Sequence, residues 1–350
     1  MVNTEPNPIK EYYIAYFDIL GFKDFFKQQP EKVPELLNSI HNAIQHTKEY
    51  ISQANNSLVL KNISNIKIYT KVFSDNILLC MESLSIDLEQ LRLLMFLWII
   101  ADIQRGFIND YSLFVRGGIL KGELSFHDDY VFGKGLIDIV AMEENAQYPR
   151  IIISKDLIDF LQNNPFYIQK DISRAIEIGN RLINKDAVND EEKSFFSRMV
   201  YYAQRWSLIE RERAFLTFYW PDENWILSYL YKIDASTLYS EDEKNKIVEF
   251  LQKVSPYDYE LFSQSSWNFD ENLHLHKIKV EEKLKKFGRN WDISVEDTKE
   301  AEFREKILRK YIWVMAFHNC ICDLYNKPEH KIATQCNCDP RFLKMVIEVL

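Results

Sequence analysis

Two aspartates occur where the sequence predicts that strands end. Asp18 closes a short apolar run, and Asp75 lies in the two-residue turn between the β-rich runs 66–73 and 76–81. If these strands are neighbours in one sheet, their ends bring the two carboxylates together. Two carboxylate oxygens, with the backbone carbonyl of Ile19 as a third ligand, would suit Mg²⁺ or Mn²⁺. Taken singly, Asp18 could instead cap the following helix, and Asp75 could be an ordinary turn residue.

The turn after Asp18 has the pattern of a phosphate-binding turn. Leu20, Gly21 and Phe22 lead into a short predicted helix. The free backbone amides at the start of a helix favour anions such as phosphate. A metal site beside such a turn indicates a nucleoside triphosphate as the ligand.

The surrounding elements must position these residues on one sheet. Seven of the nine glycines lie before residue 136, and strand and helix patterns alternate there. The order strand, helix, hairpin, helix, strand, arm, helix, strand predicts an α/β or α+β sheet with helices on one face. Glycine is sparse afterwards, and charge and aromatic residues increase. We therefore predict a domain boundary near residue 160, with 1–160 forming one domain and 161–350 a mostly helical region.

Composition excludes several classes of protein. The net charge of −9 disfavours extended nucleic-acid binding, and 47% hydrophobic residues allow a proper core. The longest apolar run, 91–101, is about half of a spanning helix, and no secretory signal is visible, so we expect a cytoplasmic protein that does not bind membranes. Five cysteines predict reduced thiols. Whether the Cys-x-Cys pairs at 320–322 and 336–338 bind metal is left open, and the polar segment around His274 and His276 predicts a solvated strand or loop.

Four segments, in this order, carry a resemblance to a known family. They are 16–22 (Tyr-Phe-Asp-Ile-Leu-Gly-Phe), 73–75 (Phe-Ser-Asp), 116–119 (Arg-Gly-Gly-Ile) and 148–152 (Tyr-Pro-Arg-Ile-Ile). Over roughly residues 10–155 the chain resembles the class III nucleotide cyclase catalytic domain. Within that family it is most similar to the bacterial pyrimidine cyclases of the Pycsar antiphage system. The resemblance implies a class III cyclase-like α+β fold, with 1–160 as the catalytic domain and 161–350 as an accessory, dimerisation or sensing region.

The resemblance also implies an activity. The enzyme would convert CTP or UTP to 3′,5′-cyclic CMP or cyclic UMP and pyrophosphate, using two Mn²⁺ or Mg²⁺ ions held by Asp18, Ile19 and Asp75. It would be a homodimer with active sites at the interface, and a separate effector protein would respond to the product. Lys71 and Tyr130 fall at the base-facing positions, although Lys71 could be an exposed strand residue and Tyr130 a packed aromatic.

The chain departs from the family pattern on the helix after the arm. Ile137 and Ala141 stand where the family carries an asparagine and an arginine. Another cation must then meet the charge that develops on the phosphate. This leaves two alternatives to a pyrimidine cyclase: a cyclase of ATP or GTP, and an inactive cyclase-like domain that senses a nucleotide. We predict that Arg116 and Arg150 are the catalytic cations, although Arg150 could instead brace the last strand. Lys134 and Arg105 are further candidates.

Overall fold

The computed structural model describes most of the N-terminal half and two long C-terminal helices. The described residues are 8–53, 67–84, 89–127, 130–162, 174, 177–178, 181, 186–193, 218–219, 225–230, 269–288 and 298–333.

Eight strands form one mixed sheet in the order β2-β3-β1-β4-β6-β8-β7, with β5 paired to the far end of β4. The β4–β6 pair is parallel and the other pairs are antiparallel. The strands are β1 (Lys10–Leu20), β2 (Ile68–Phe73), β3 (Asn76–Glu82), β4 (Phe114–Phe126), β5 (Val131–Phe132), β6 (Ile151–Ile153), β7 (Phe218–Tyr219) and β8 (Trp225–Leu227).

Seven α-helices are described, and none of them has both the length and the apolar composition of a membrane-crossing segment. They are α1 (Phe22–Gln28), α2 (Val33–Gln53), α3 (Glu89–Tyr111), α4 (Lys134–Ala146), α5 (Lys155–Gln162), α6 (Phe269–Gly288) and α7 (Thr298–Leu324).

Successive side chains of β1 point to opposite faces of the sheet. Odd-numbered residues such as Phe17 belong to the main core, which also contains residues of α2, α3, α6 and α7. Even-numbered residues such as Ile14 belong to a smaller cluster with Ile139 of α4. The sheet therefore carries most of the described helices on one face and α4 on the other. The predicted α+β class with a helical C-terminal region is confirmed.

The C-terminal part also contributes to the sheet and to its core. The short strands β7 and β8, which were not predicted, extend the sheet beyond β6. Leu227 of β8, Val280 of α6 and Ile312 of α7 lie in the same core cluster as Phe17. The boundary near residue 160 stays a prediction.

The prediction of a solvated strand or loop around His274 and His276 is wrong. Both residues lie on helix α6. His276 is buried, and its ring stacks on that of His318 with a centroid distance of 5.1 Å. Leu273 and Val280, three residues before and four after His276, are buried with it. A helical period therefore applies where the sequence suggested an alternating pattern.

Glycine at position 117 lets the two central strands approach closely. Gly117 pairs with Phe17 of β1 and Ile151 of β6. An added Cβ would lie 2.2 Å from the carbonyl oxygen of Tyr16 and 2.4 Å from Cβ of Phe17. Backbone atoms cannot yield as a flexible side chain does, so glycine here fixes the position of its neighbour Arg116.

Gly117→Ala is expected to destabilise the fold by about 2–4 kcal/mol, because the new methyl group overlaps the backbone of β1. Gly106→Ala is the matched control. Its Cβ would meet nothing closer than Oδ2 of Asp110 at 3.8 Å, and Gly106 lies inside α3. Alanine should therefore stabilise that helix by about 0.5–1 kcal/mol. Urea denaturation measures both changes, and an unchanged midpoint for Gly117→Ala would contradict the close approach.

Candidate functional site

Strand pairing and one tight turn bring Asp18 and Asp75 together. Asp18 pairs with Asn76 across β1 and β3, and Asp75 immediately precedes Asn76 in the β2–β3 turn. The backbone N–H of Ile19 donates to the carbonyl of Asp75 at 2.8 Å, which fixes the turn beside β1. Each carboxylate lies within the electrostatic field of the other. We refer to Asp18 and Asp75 as the acidic pair.

A partly buried ion pair, Arg116 with Glu143, adjoins the acidic pair. Arg116 is directly opposite Asp18 in the β1–β4 pairing. Its Nε donates to Oε1 of Glu143 at 2.6 Å, and its Nη2 lies 3.6 Å from Oδ2 of Asp18. Arg116 therefore joins strands β1 and β4 to helix α4.

Sequence reasoning missed Glu143. It lies on the buried face of α4 with Ile139 and Ala146. A carboxylate on the apolar face of a helix is the signal that could have identified it, because such a group requires a partner when buried. Arg116 is that partner.

The charge balance around the acidic pair shows in the pKa of Asp18. All influences together raise that pKa from its ordinary 3.8 to about 6, and burial is the largest of them. The positive charge of Arg116 comes next and lowers the pKa, as does that of Lys310, whereas the negative charges of Asp75 and Glu143 raise it. The raised pKa means that Arg116 and Lys310 offset only part of the cost of burying the charge of Asp18.

Lys310 is the second residue that the sequence did not indicate. It lies on α7, it is half-buried, and it interacts electrostatically with Arg116, Asp18 and Glu143. No local pattern points to it, because only the packing of α7 against the sheet brings it to this site.

The turn that was predicted to bind phosphate joins β1 to α1. Leu20 ends β1, Gly21 has a φ of 82°, and Phe22 begins α1. This left-handed conformation suits glycine and disfavours other residues. A Cβ added at Gly21 would meet no atom within 4 Å, so the backbone is approachable from that side.

Arg150 is held within the protein, with contacts away from the acidic pair. Its Nε donates to the carbonyl of Ala146 at 2.9 Å. Its guanidinium lies 5.5 Å from the ring of Tyr148 and 5.4 Å from that of Trp313. These contacts brace the turn that enters β6.

The other two candidate cations form ion pairs on their own helices. Lys134 is paired with Asp138 on α4 at 2.5 Å, and Arg105 with Asp102 on α3 at 2.6 Å. These contacts do not involve the acidic pair.

The two predicted base-facing residues lie at different distances from the acidic pair. Lys71 of β2 is opposite Leu78 of β3, which is in turn opposite Tyr16 of β1. Lys71 therefore lies on the same face of the sheet as Asp18, two strands away. Its Nζ lies 5.7 Å from the ring of Phe126. Tyr130 stacks on His127 at 4.8 Å, beside the far end of β4. At about 3.3 Å per residue, that end is roughly 30 Å from Arg116.

A divalent ion fits the acidic pair only with oxygens from elsewhere. In the part of the chain that the structure describes, no group of three or more His, Cys, Asp or Glu side chains could hold a metal. Mg²⁺, however, is commonly bound by one or two carboxylates that are completed by substrate phosphates and water. A cation of this kind would lower the cost of burying the Asp18 carboxylate, which Arg116 and Lys310 offset only in part. Cys320 and Cys322 are free thiols, and the second Cys-x-Cys pair lies outside the described residues.

Comparison with known proteins gives a limited result. No protein-family model and no curated protein matches the chain. One of the matching solved structures is the adenylyl cyclase CyaB from P. aeruginosa, with 14% sequence identity and a TM-score of 0.32. The match covers 45% of this chain and 84% of that one. At this score the likeness carries no argument about activity, which must come from the site itself.

Asp18→Asn is expected to stabilise the metal-free protein at pH 8 by on the order of 1–3 kcal/mol. A raised pKa means that the folded state binds the proton more tightly than the unfolded state. The free energy of unfolding of the wild type therefore falls as the pH rises from about 4 to about 6. Asparagine does not titrate, so the variant does not lose stability in this way. The difference between the two proteins should shrink towards pH 4.

Urea denaturation in EDTA at pH 4, 6 and 8 measures this difference. Asp110→Asn, at an exposed position, serves as the control. If Asp18→Asn were less stable than the wild type at pH 8, the conclusion that burial makes the charge of Asp18 costly would be wrong.

Proposed function

We propose that the protein is a nucleotide cyclase that converts CTP or UTP to 3′,5′-cyclic CMP or cyclic UMP and pyrophosphate. The observation that supports this most strongly is the acidic pair, held near the end of strand β1 by the β1–β3 pairing and the Ile19–Asp75 hydrogen bond. The choice of pyrimidine and a role in antiphage signalling through a separate effector follow from the motif resemblance, and they form part of the proposal.

In this proposal Asp18 and Asp75 hold two Mn²⁺ or Mg²⁺ ions, with the carbonyl of Ile19 as a further ligand. When bound, the ions would lower the pKa of the ribose 3′-hydroxyl and orient the triphosphate. The Leu20–Phe22 turn binds phosphate through its amides, and its open side at Gly21 supports this role. Arg116 keeps Asp18 oriented, since it is fixed in turn by Glu143.

A second copy of the chain would complete the site. Tyr130 lies roughly 30 Å along β4 from Arg116, so within one chain it cannot reach a ligand at the acidic pair. Its exposure, together with that of Phe132 and Ile137, gives this face of the protein an apolar surface. A homodimer in which Lys71 and Tyr130 of one copy face the acidic pair of the other would use both features.

Incubation with ATP, GTP, CTP or UTP and Mn²⁺ tests the activity, with products identified by mass spectrometry. We expect cyclic CMP or cyclic UMP from the wild type and none after addition of EDTA. Asp75→Asn should lower the rate by about 1000-fold, because a ligand to both ions is lost. Asp110→Asn should retain the wild-type rate.

Other outcomes distinguish the alternatives. Cyclic AMP or cyclic GMP as the main product would assign a purine substrate. Nucleotide binding without release of pyrophosphate would indicate the sensor, to which Ile137 and Ala141 at exposed positions of α4 lend some support. Full activity of Asp75→Asn would remove the acidic pair from the mechanism.

A further inference from the structure

Helix α7 is fixed beside the start of β4 by aromatic contacts of two residues that follow Lys310. The ring of Tyr311 meets that of Phe114 edge to face at 5.4 Å, and it also stacks on Phe287 of α6 at 5.6 Å. Trp313 stacks on Tyr148 at 5.5 Å with an interplanar angle of 7°. Phe114 is two residues before Arg116. The backbone of α7 at Lys310 is therefore held next to the acidic pair and cannot slide away from it.

The ammonium of Lys310 lies among charges but does not pair with any of them. Arg116, Asp18, Lys306 and Glu143 all act on it through space. No residue in the described ranges forms a hydrogen bond or an ion pair with it. Burial is the main cause of its lowered pKa, with the positive charge of Arg116 next. A partly buried cation without a close partner loses hydration, and a bound anion would restore the lost interaction.

Arg116 does not compete for such an anion. Its Nε and Nη2 are both engaged by Glu143, and Nη2 also faces Asp18. Of the two described cations next to the acidic pair, Arg116 is therefore committed to carboxylates of the protein. Lys310 has three ammonium donors that can turn towards a ligand.

We propose that Lys310 binds a phosphate group of the nucleotide held at the acidic pair. This rests on the proposed function for the identity of that nucleotide, but it makes its own claim, that helix α7 forms part of the binding site. A lysine ammonium is a compact, mobile charge that suits phosphate oxygens whose positions shift during a reaction.

Tripolyphosphate with Mn²⁺ is a suitable probe, because it carries the phosphate chain of every nucleoside triphosphate and has no ribose to cyclise. Its affinity is measured by isothermal titration calorimetry for the wild type, Lys310→Gln, Lys310→Arg and Lys306→Gln. Lys306 is exposed, lies one turn earlier on α7 and acts electrostatically on Lys310, so Lys306→Gln removes the same charge beside the site and leaves the proposed phosphate ligand in place.

We expect Lys310→Gln to weaken binding by about 10- to 100-fold, Lys310→Arg to keep most of the affinity, and Lys306→Gln to remain within about twofold of the wild type. If Lys310→Gln melts at a lower temperature than the wild type, Lys310→Met, which keeps the apolar stem, gives the same comparison. Equal affinities for Lys310→Gln and Lys306→Gln would overturn the proposal, and so would a wild type that binds no tripolyphosphate.

Assays of cyclic nucleotide formation separate this inference from the proposed function. If the wild type forms no cyclic product but Lys310→Gln selectively loses tripolyphosphate affinity, the cyclase proposal fails and the phosphate-binding role stands. If the wild type is active and Lys310→Gln keeps both affinity and rate, the cyclase stands and the role of Lys310 is refuted.

Discussion

The burial of charged carboxylates is the constraint on which the rest of the site depends. Asp18, Asp75 and Glu143 reach one region from β1, the β2–β3 turn and α4, and burial makes their charge costly. Arg116 contacts two of them directly, but burial still raises the pKa of Asp18 to about 6. The fold keeps these groups together because the sheet register and α4 packing leave them no other position. A site of this kind has a built-in affinity for cations.

The pairing register of β1 with β3 and β4 determines which side chains lie beside a bound ligand. Gly117 allows β1 and β4 to approach closely, and this places Arg116 opposite Asp18. The two-residue turn then places Asp75 next to the partner of Asp18 on β3. Neither carboxylate depends on a long loop for its position. Strand pairing holds both, which favours the fixed geometry that metal-assisted phosphate chemistry requires.

The acidic pair could be predicted because its signals are local. An apolar run that ends in aspartate, and a turn between two β-rich runs, are visible in the sequence, and so are the strands and helices up to residue 153. Glu143 and Lys310 could not be predicted in the same way, because their roles depend on which face of a helix packs against which edge of the sheet. His276 was misassigned for a similar reason: its burial follows from the packing of α6, and the sequence around it is polar. The strands β7 and β8 have only two and three residues, too few to show a period.

The stacking of Trp313 on Tyr148, and of Tyr311 against Phe114, has a consequence for biosynthesis. A ribosome makes β4 and β6 long before it makes α7, so the emerging chain must carry the first residues of β4 without their aromatic cover. The sheet can begin to assemble early, but its surface there stays uncovered until α7 has been made. A protein truncated before α7 would expose the rings of Phe114 and Tyr148, and chaperones and proteases recognise such exposed apolar surface.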